Sequence, residues 1–307
     1  MKLTKLLLTV LLLILSTCVF PQSGQPEKQT FVYKTVKGHD IKANIFLSNS
    51  KEKHPVLVYF HGGGFIFGNR DRGLEMSLKE KLVANGYAVV SADYRLAPET
   101  KLEEIIKDVS DVIKWLRLNG EQEYNIDTNK IAVAGGSAGG YLALTSGFNS
   151  DSMPNAIIAI SAPTGFSTAN MQMGDLTKLD QLGTFGVVKD SVVSYGNYDS
   201  RMDLWRFLGR NRLALYGIFG FDPAKEPEKL KKYTLTDNMK PDFPPTLIIH
   251  GRKDHLVGLQ EVTEFYGFLT AKQINAELHL VENGHSSELI RQHPEVIEKI
   301  IEFLKAL

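Results

Sequence analysis

Lys130-Ile131-Ala132-Val133-Ala134-Gly135-Gly136-Ser137-Ala138-Gly139-Gly140-Tyr141-Leu142-Ala143-Leu144 decides how the rest of this chain is read. Residues 131–134 are short, apolar and partly β-branched, the pattern of a buried strand. The Ala- and Leu-rich run that follows favours a helix. Gly135-x-Ser137-x-Gly139 sits at the junction. A serine there rides on a sharp strand-to-helix turn with its hydroxyl held above the sheet, and the glycines spare a turn that side chains would block. The helix N-terminus beneath offers free N–H groups and a partial positive charge, which suits an oxyanion. The strand before and the helix after favour this reading; the alternative is a small-residue helix start in close packing, and the rest of the chain has to decide.

Upstream, residues 31–36 and 41–47 read as paired strands around the turn Lys37-Gly38-His39-Asp40. Val56-Leu57-Val58-Tyr59-Phe60 is continuously apolar, as in a strand covered on both faces, and runs into His61-Gly62-Gly63-Gly64. A helix over 74–84, a buried strand over 87–92 and a helix over 103–118 follow, the last showing an apolar face at Ile105, Ile106, Val109, Val112, Ile113 and Leu116. Downstream, a strand is expected at 156–160. Regularity returns with Pro245-Thr246-Leu247-Ile248-Ile249-His250-Gly251, then a helix over 259–272, a strand over 277–281 and a last helix over 287–305. This alternation predicts an α/β fold with a mostly parallel sheet and helices on both faces. Residues 164–242 interrupt it. They are glycine-rich, poorly periodic except for a helix-like piece at 202–216, and long enough to be a lid or cap facing a substrate.

The chain has 307 residues, with 35 basic and 35 acidic side chains, so its formal net charge is zero. That balance gives no electrostatic reason to expect nucleic acid as a partner. The N-terminus reads as a targeting segment, residues 1–22: Lys2 and Lys5 precede a short apolar run over 6–15. Leu15-Ser16-Thr17-Cys18, which holds the single cysteine, resembles a bacterial lipoprotein cleavage box, although Thr17 stands where Gly, Ala or Ser is usual. Lipidation of Cys18, cleavage a few residues later and an uncleaved anchor are the three outcomes open. Each of the first two places the protein outside the cytoplasm, in the periplasm, on the outer membrane or secreted. Of those two, only lipidation of Cys18 attaches it to a membrane. Residues 22–29 read as a linker, 23–163 with 243–307 as the core, and 164–242 as the inserted cap.

A nucleophilic serine needs a base, a group that orients the base and donors for the developing oxyanion. In an open parallel sheet these come from loops after the carboxyl ends of strands. Among eight histidines, His285 in Glu282-Asn283-Gly284-His285 follows the last strand and precedes the last helix. His250 falls inside a strand and His255 beside the acid. That acid is Asp254 in Gly251-Arg252-Lys253-Asp254, directly after a strand, with Glu282 and Asp242 as rivals lacking that placement. The order Ser137, Asp254, His285 is the one expected of this arrangement. The oxyanion donors are expected to be the backbone amides of Gly63, Gly64 and Ala138, with His61 holding the glycine loop in shape. A phosphate cradle is the other use of such a loop, but the Lys-Ser/Thr ending is missing.

His61-Gly62-Gly63-Gly64, Asp93-Tyr94-Arg95-Leu96-Ala97-Pro98-Glu99 and Gly135-Gly136-Ser137-Ala138-Gly139-Gly140 together resemble the α/β-hydrolase fold. Within it the chain is similar to the hormone-sensitive-lipase-like carboxylesterases and to the bacterial feruloyl/acetyl-xylan esterase-like group, over about 51–163 and 243–307. The resemblance implies ester hydrolysis through an acyl-enzyme on Ser137, no cofactor or metal, and structural roles for Asp93, Arg95 and Asp108. Gly136 stands where the lipase-like branch usually has Asp, and His255-Leu256 follows Asp254 where that branch has Pro-Leu. The first departure leans toward the feruloyl/xylan-esterase-like branch. The expected substrate is a short acyl or aromatic ester, carbohydrate-linked by analogy with that branch. A peptidase or amidase on the same triad, and a catalytically silent ligand receptor on the same fold, are the alternatives; oligomeric state is not legible.

Overall fold

Val56, Val58 and Phe60 face one hydrophobic core while Leu57 and Tyr59 face another. This alternation on one strand is the local reason that the sheet lies between two layers of helices, because successive side chains of a strand point to opposite faces. The computed structural model describes residues 27–166, 173–189, 191–194 and 196–306. The signal-like segment and Cys18 lie outside them.

Eight strands form one sheet: β1 (Glu27–Val36), β2 (His39–Leu47), β3 (His54–Phe60), β4 (Ala88–Ala92), β5 (Ile126–Gly136), β6 (Ala156–Ile160), β7 (Thr246–Gly251) and β8 (Ala276–Val281). Their spatial order is β1-β2-β4-β3-β5-β6-β7-β8. β1 pairs antiparallel with β2, and β2 antiparallel with β4; every later pairing is parallel. β5 lies between β3 and β6, so its carboxyl end opens in the middle of the sheet.

On one face, α2 (Leu102–Tyr124) and α3 (Ala138–Ser146) bury residues such as Ile105 and Leu142 on the central strands, and α6 (Leu259–Ala271) packs Val262 and its neighbours over β7 and β8. On the other, α1 (Met76–Ala84), α7 (Ser287–Gln292) and α8 (Glu295–Lys305) contribute Leu78, Leu82, Ile290 and Ile300. Each fully buried Leu or Ile side chain removes enough apolar area from water to contribute about 2–3 kcal/mol before its ordering entropy is counted. No helix among the described residues is long and apolar enough to cross a membrane.

Three expectations are corrected. The linker read at 22–29 ends early, because β1 starts at Glu27, paired with Leu47. Its first four residues are exposed on an edge strand, so they lack the apolar alternation that would have marked them. The last helix is two: α7 stops at Gln292 and α8 starts at Glu295, across His293-Pro294, since a proline has no N–H to continue the ladder. The helix-like piece at 202–216 is also two, α4 (Tyr198–Arg210) and α5 (Ala214–Phe219), parted where Arg212 takes φ 56°. Elsewhere in 164–242 the described residues hold 3-10 segments at Leu176–Phe185, Pro227–Tyr233 and Thr236–Asn238.

Candidate active site

β5 ends at Gly136 and α3 begins at Ala138, leaving Ser137 alone in the turn with φ 55° and ψ −123°. A non-glycine residue rarely takes positive φ, and such strain persists only where surrounding structure fixes it. Here the Ser137 amide donates to the Ile160 carbonyl of β6 at 2.8 Å, and the Ser137 carbonyl accepts from the Gly140 and Tyr141 amides. The turn also presses against β3: a Cβ on Gly139 would lie 2.0 Å from the Phe60 carbonyl oxygen.

Asp254 and His285 occupy the turns after β7 and β8. The two turns are tied together, as the Arg252 amide donates to Val281 O at 2.8 Å and the Lys253 amide to Glu282 O at 3.1 Å. The result is a contact of 2.7 Å between His285 Nδ1 and Asp254 Oδ2. A carboxylate only accepts, so Nδ1 carries the proton and Nε2 of a neutral ring is left as acceptor. The Asp254 side chain is shut off from solvent, whereas His285 is 18% exposed. Burial alone would push the Asp254 carboxyl up. The hydrogen bonds from His285 and from the Val257 and Leu256 amides outweigh it and hold the carboxyl below its usual range.

The glycine loop after β3 forms the opposite wall. Gly63 sits at φ 118°, and a Cβ there would lie 2.0 Å from the Phe67 carbonyl oxygen, so no other residue fits. The Gly63 carbonyl accepts from the Ile66 and Phe67 amides, closing a tight turn. Among the described residues, the Gly63, Gly64 and Ala138 amides donate no backbone hydrogen bond. His61 donates from Nδ1 to the Gly62 carbonyl at 2.8 Å and stacks on Tyr94 at 4.2 Å, while the Tyr94 hydroxyl donates to the His61 carbonyl. Burial pulls the His61 imidazole down. It is thus a neutral brace for the loop.

Ser137, His285, Gly63, Gly64 and Ala138 line one cavity of about 390 Å³, a volume in the range of small-ligand sites. Among the described residues no hydrogen bond joins the Ser137 hydroxyl to His285; the two share the cavity wall without one. Contacts of this kind are often long in unliganded enzymes and tighten around substrate. The rivals lie elsewhere. His250 is buried in β7 and donates from Nε2 to Val257 O, bracing the Asp254 turn from behind. Glu282 pairs with Lys253 at the surface, and Asp242 and His255 are exposed.

Asp93, Arg95 and Asp108 stand apart from this cavity. Arg95 donates to both oxygens of the buried Asp108, which also takes Lys34 Nζ at 2.7 Å. Asp93 accepts from the Arg70 amide and guanidinium.

Sequence reasoning missed Arg72, Tyr198, Trp205, Leu256 and Ser286, all of which line the cavity. Trp205 lies over the glycine loop: its Nε1 would be 2.6 Å from a Cβ on Gly64. Ser286 repeats the backbone of Ser137, with φ 53° and ψ −123°, and its amide donates to Ser161 Oγ at 3.0 Å. One signal was present for the inserted segment: in α4, Arg201 falls in line with Leu204 and Leu208, on the buried stripe of the helix. A charged residue at such a position needs a buried partner.

A BD-FAE family model matches residues 43–269. The chain is 24% identical to the non-reducing polyketide synthase mapC of Penicillium brevicompactum, over 88% of this chain and 13% of that protein. It therefore spans only a small part of that much longer relative. It is 28% identical to esterase LipC of Mycobacterium tuberculosis, over 77% of this chain and 54% of LipC. The solved structure of the Pyrobaculum calidifontis esterase superposes with a TM-score of 0.66 at 24% identity, covering 92% of this chain and 87% of the other. With an α/β-hydrolase sheet and a family match over most of its length, this chain belongs to the BD-FAE family.

Proposed function

We propose that this protein is a serine carboxylic-ester hydrolase in which Ser137 is the nucleophile, His285 the base and Asp254 the group that orients the base. One observation carries the reading. The 2.7 Å contact between His285 and Asp254 opens into the same cavity as the positive-φ Ser137 and the undonated amides of the glycine loop. His285 Nε2 takes the Ser137 proton as Oγ attacks the ester carbonyl. The carbonyl oxygen gains charge and settles on the Gly63, Gly64 and Ala138 amides, which are pre-aimed and so cost nothing to reorganise. His285 returns the proton to the departing alcohol, leaving an acyl group on Ser137. Water repeats the sequence and releases the acid. No step calls on a metal or a cofactor.

The walls support a short acyl or aromatic group. Phe65, Phe67, Trp205 and Val257 make the cavity mostly apolar beside the reacting carbonyl. A second groove of about 520 Å³ adjoins it, sharing Gly68 and Tyr198, and is lined by polar groups including Asp40, Asn69, Asp93 and Arg95. A hydroxyl-rich alcohol, such as a carbohydrate, suits that groove. Residues 164–242 act as the cap, since Tyr198 and Trp205 are their contribution to the cavity wall. The basic and apolar start of the chain supports export.

A panel of 4-nitrophenyl esters of increasing acyl length, run with acetylated xylan and methyl ferulate, tests the reading alongside fluorophosphonate labelling. Hydrolysis of short esters and an adduct on Ser137 are expected. A folded protein that neither labels nor hydrolyses any of them would be a receptor, and hydrolysis of amides ahead of esters would make it a peptidase or amidase.

A further inference from the structure

Arg72 lines the cavity together with Ser137 and His285, and nothing in the reaction above uses it. Its guanidinium carbon lies 4.2 Å from the centroid of the Tyr198 ring, at the first residue of α4. Stacking of this kind occupies the flat face of a guanidinium and leaves its N–H edge free to donate. The charges beside it in sequence are already committed. Arg70 holds Asp93 and Asn44, and Asp71 accepts from Lys28 and Asn44. Among the described residues the Arg72 side chain has no carboxylate or carbonyl partner of its own.

The cavity gives that charge nothing to pair with. No Asp or Glu is among the described residues that line it, and Arg72 is its only Arg or Lys. The undonated glycine-loop amides line the same cavity and add positive potential to it. The Asp254 carboxylate is buried against His285 and does not line the cavity, so the exposed Arg72 guanidinium is the charge that an anionic substrate meets at the mouth of this apolar cleft. The Tyr198 ring holds the guanidinium in place, so little rotamer freedom remains to be lost when a planar, two-oxygen acceptor arrives.

We propose that Arg72 binds a carboxylate carried by the ester itself, so that the preferred substrates are anionic esters. This rests on ester hydrolysis at Ser137. The carboxylate could sit on the acyl side, as in a hemiester of a dicarboxylic acid, or on the alcohol side, as in an ester of a hydroxy acid or uronate. Both present the same group to the guanidinium.

Two matched pairs separate these sources: 4-nitrophenyl hemiglutarate against 4-nitrophenyl valerate, and 4-acetoxybenzoate against 4-acetoxybenzamide. The quantity read is the ratio of kcat/KM for the anionic and neutral members, taken within each variant so that any general loss cancels. In at least one pair, Arg72→Met lowers the ratio about tenfold or more, the usual weight of a charge-assisted hydrogen bond. Arg72→Lys keeps part of it, and added salt lowers the wild-type ratio but not that of Arg72→Met. Melting curves confirm that each variant is folded. An equal ratio in wild type and Arg72→Met for both pairs, with neutral esters turned over, overturns this assignment alone. No turnover of any of the four esters by wild type overturns the hydrolase reading with it.

Discussion

Arg201 and Glu99, 102 positions apart in the chain, form an ion pair from which solvent is all but excluded: Nη1 lies 2.7 Å from Oε1, and the side chains are 2% and 0% exposed. Arg201 also donates from Nε to the Ile66 carbonyl at 2.9 Å and from Nη2 to the Ala97 carbonyl. One side chain of α4 thereby fastens the inserted segment to the glycine loop and to the turn after β4.

Removing either partner strands the other in a low-dielectric site. Arg201→Met or Glu99→Leu is expected to cost about 3–5 kcal/mol of stability, while the double variant costs less than the sum, because no bare charge is left. Urea unfolding of the three variants measures this. Single losses below about 1 kcal/mol would show that the pair holds nothing together. The Arg201 variant is also expected to lose ester turnover ahead of its stability, as Ile66 in the glycine loop gives up its donor.

Gly63→Ala is expected to fail at the loop. The added Cβ would meet the Phe67 carbonyl oxygen at 2.0 Å in a backbone at φ 118°. The loop must move, and with it two of the three proposed oxyanion donors. A fall in kcat of roughly a hundredfold or more follows from the loss of one such donor, with KM much less affected. Steady-state kinetics on 4-nitrophenyl acetate decide it; wild-type kcat in a folded Gly63→Ala would place the oxyanion elsewhere.

Ser137→Ala and His285→Ala are each expected to remove nearly all turnover, on the order of a ten-thousandfold, and the double variant to be no worse than either. Groups that act as one unit lose their combined effect once any member goes. Additive losses would mean that the two residues act in separate steps.

Asp254 makes the acid side of the stability curve informative. Its carboxyl titrates below the usual range, because hydrogen bonds from His285 and two amides outweigh the burial that pushes it up. The unfolded chain, with a carboxyl near about 3.9, binds a proton that the folded one refuses. Stability from this group is therefore complete above that value and is lost as pH falls through the folded one. Melting temperatures between about pH 5 and pH 2 should drop more steeply in wild type than in Asp254→Asn. Parallel slopes would deny the shift. The same variant should lose roughly a ten-thousandfold in kcat, because an amide favours the wrong imidazole tautomer.

Much of this molecule was legible before folding was considered. Short continuous apolar runs such as 56–60, rich in β-branched and aromatic residues, read as strands covered on both sides, and each ends where a loop with Gly, Ser, Asp or His begins. That put Ser137, Asp254 and His285 at the carboxyl edge of one sheet. Boundaries were poorer wherever solvent relaxes the pattern. Glu27–Gln29 are exposed on the edge strand, and the break at Pro294 lies inside an apolar period that continues on both sides of it.

Strand periodicity and motif order determined the mostly parallel sheet, its two helical layers and the placing of Ser137, Asp254 and His285 in loops at the carboxyl ends of strands, because these follow from local pattern and chain order alone. The tertiary structure decided which residues of 164–242 reach the cavity and how they are held there. Arg201 finding Glu99, Trp205 lying over Gly64 and Arg72 stacking on Tyr198 are contacts between segments with no shared period. Such contacts depend on where the whole chain comes to rest, and a one-dimensional pattern carries no record of them.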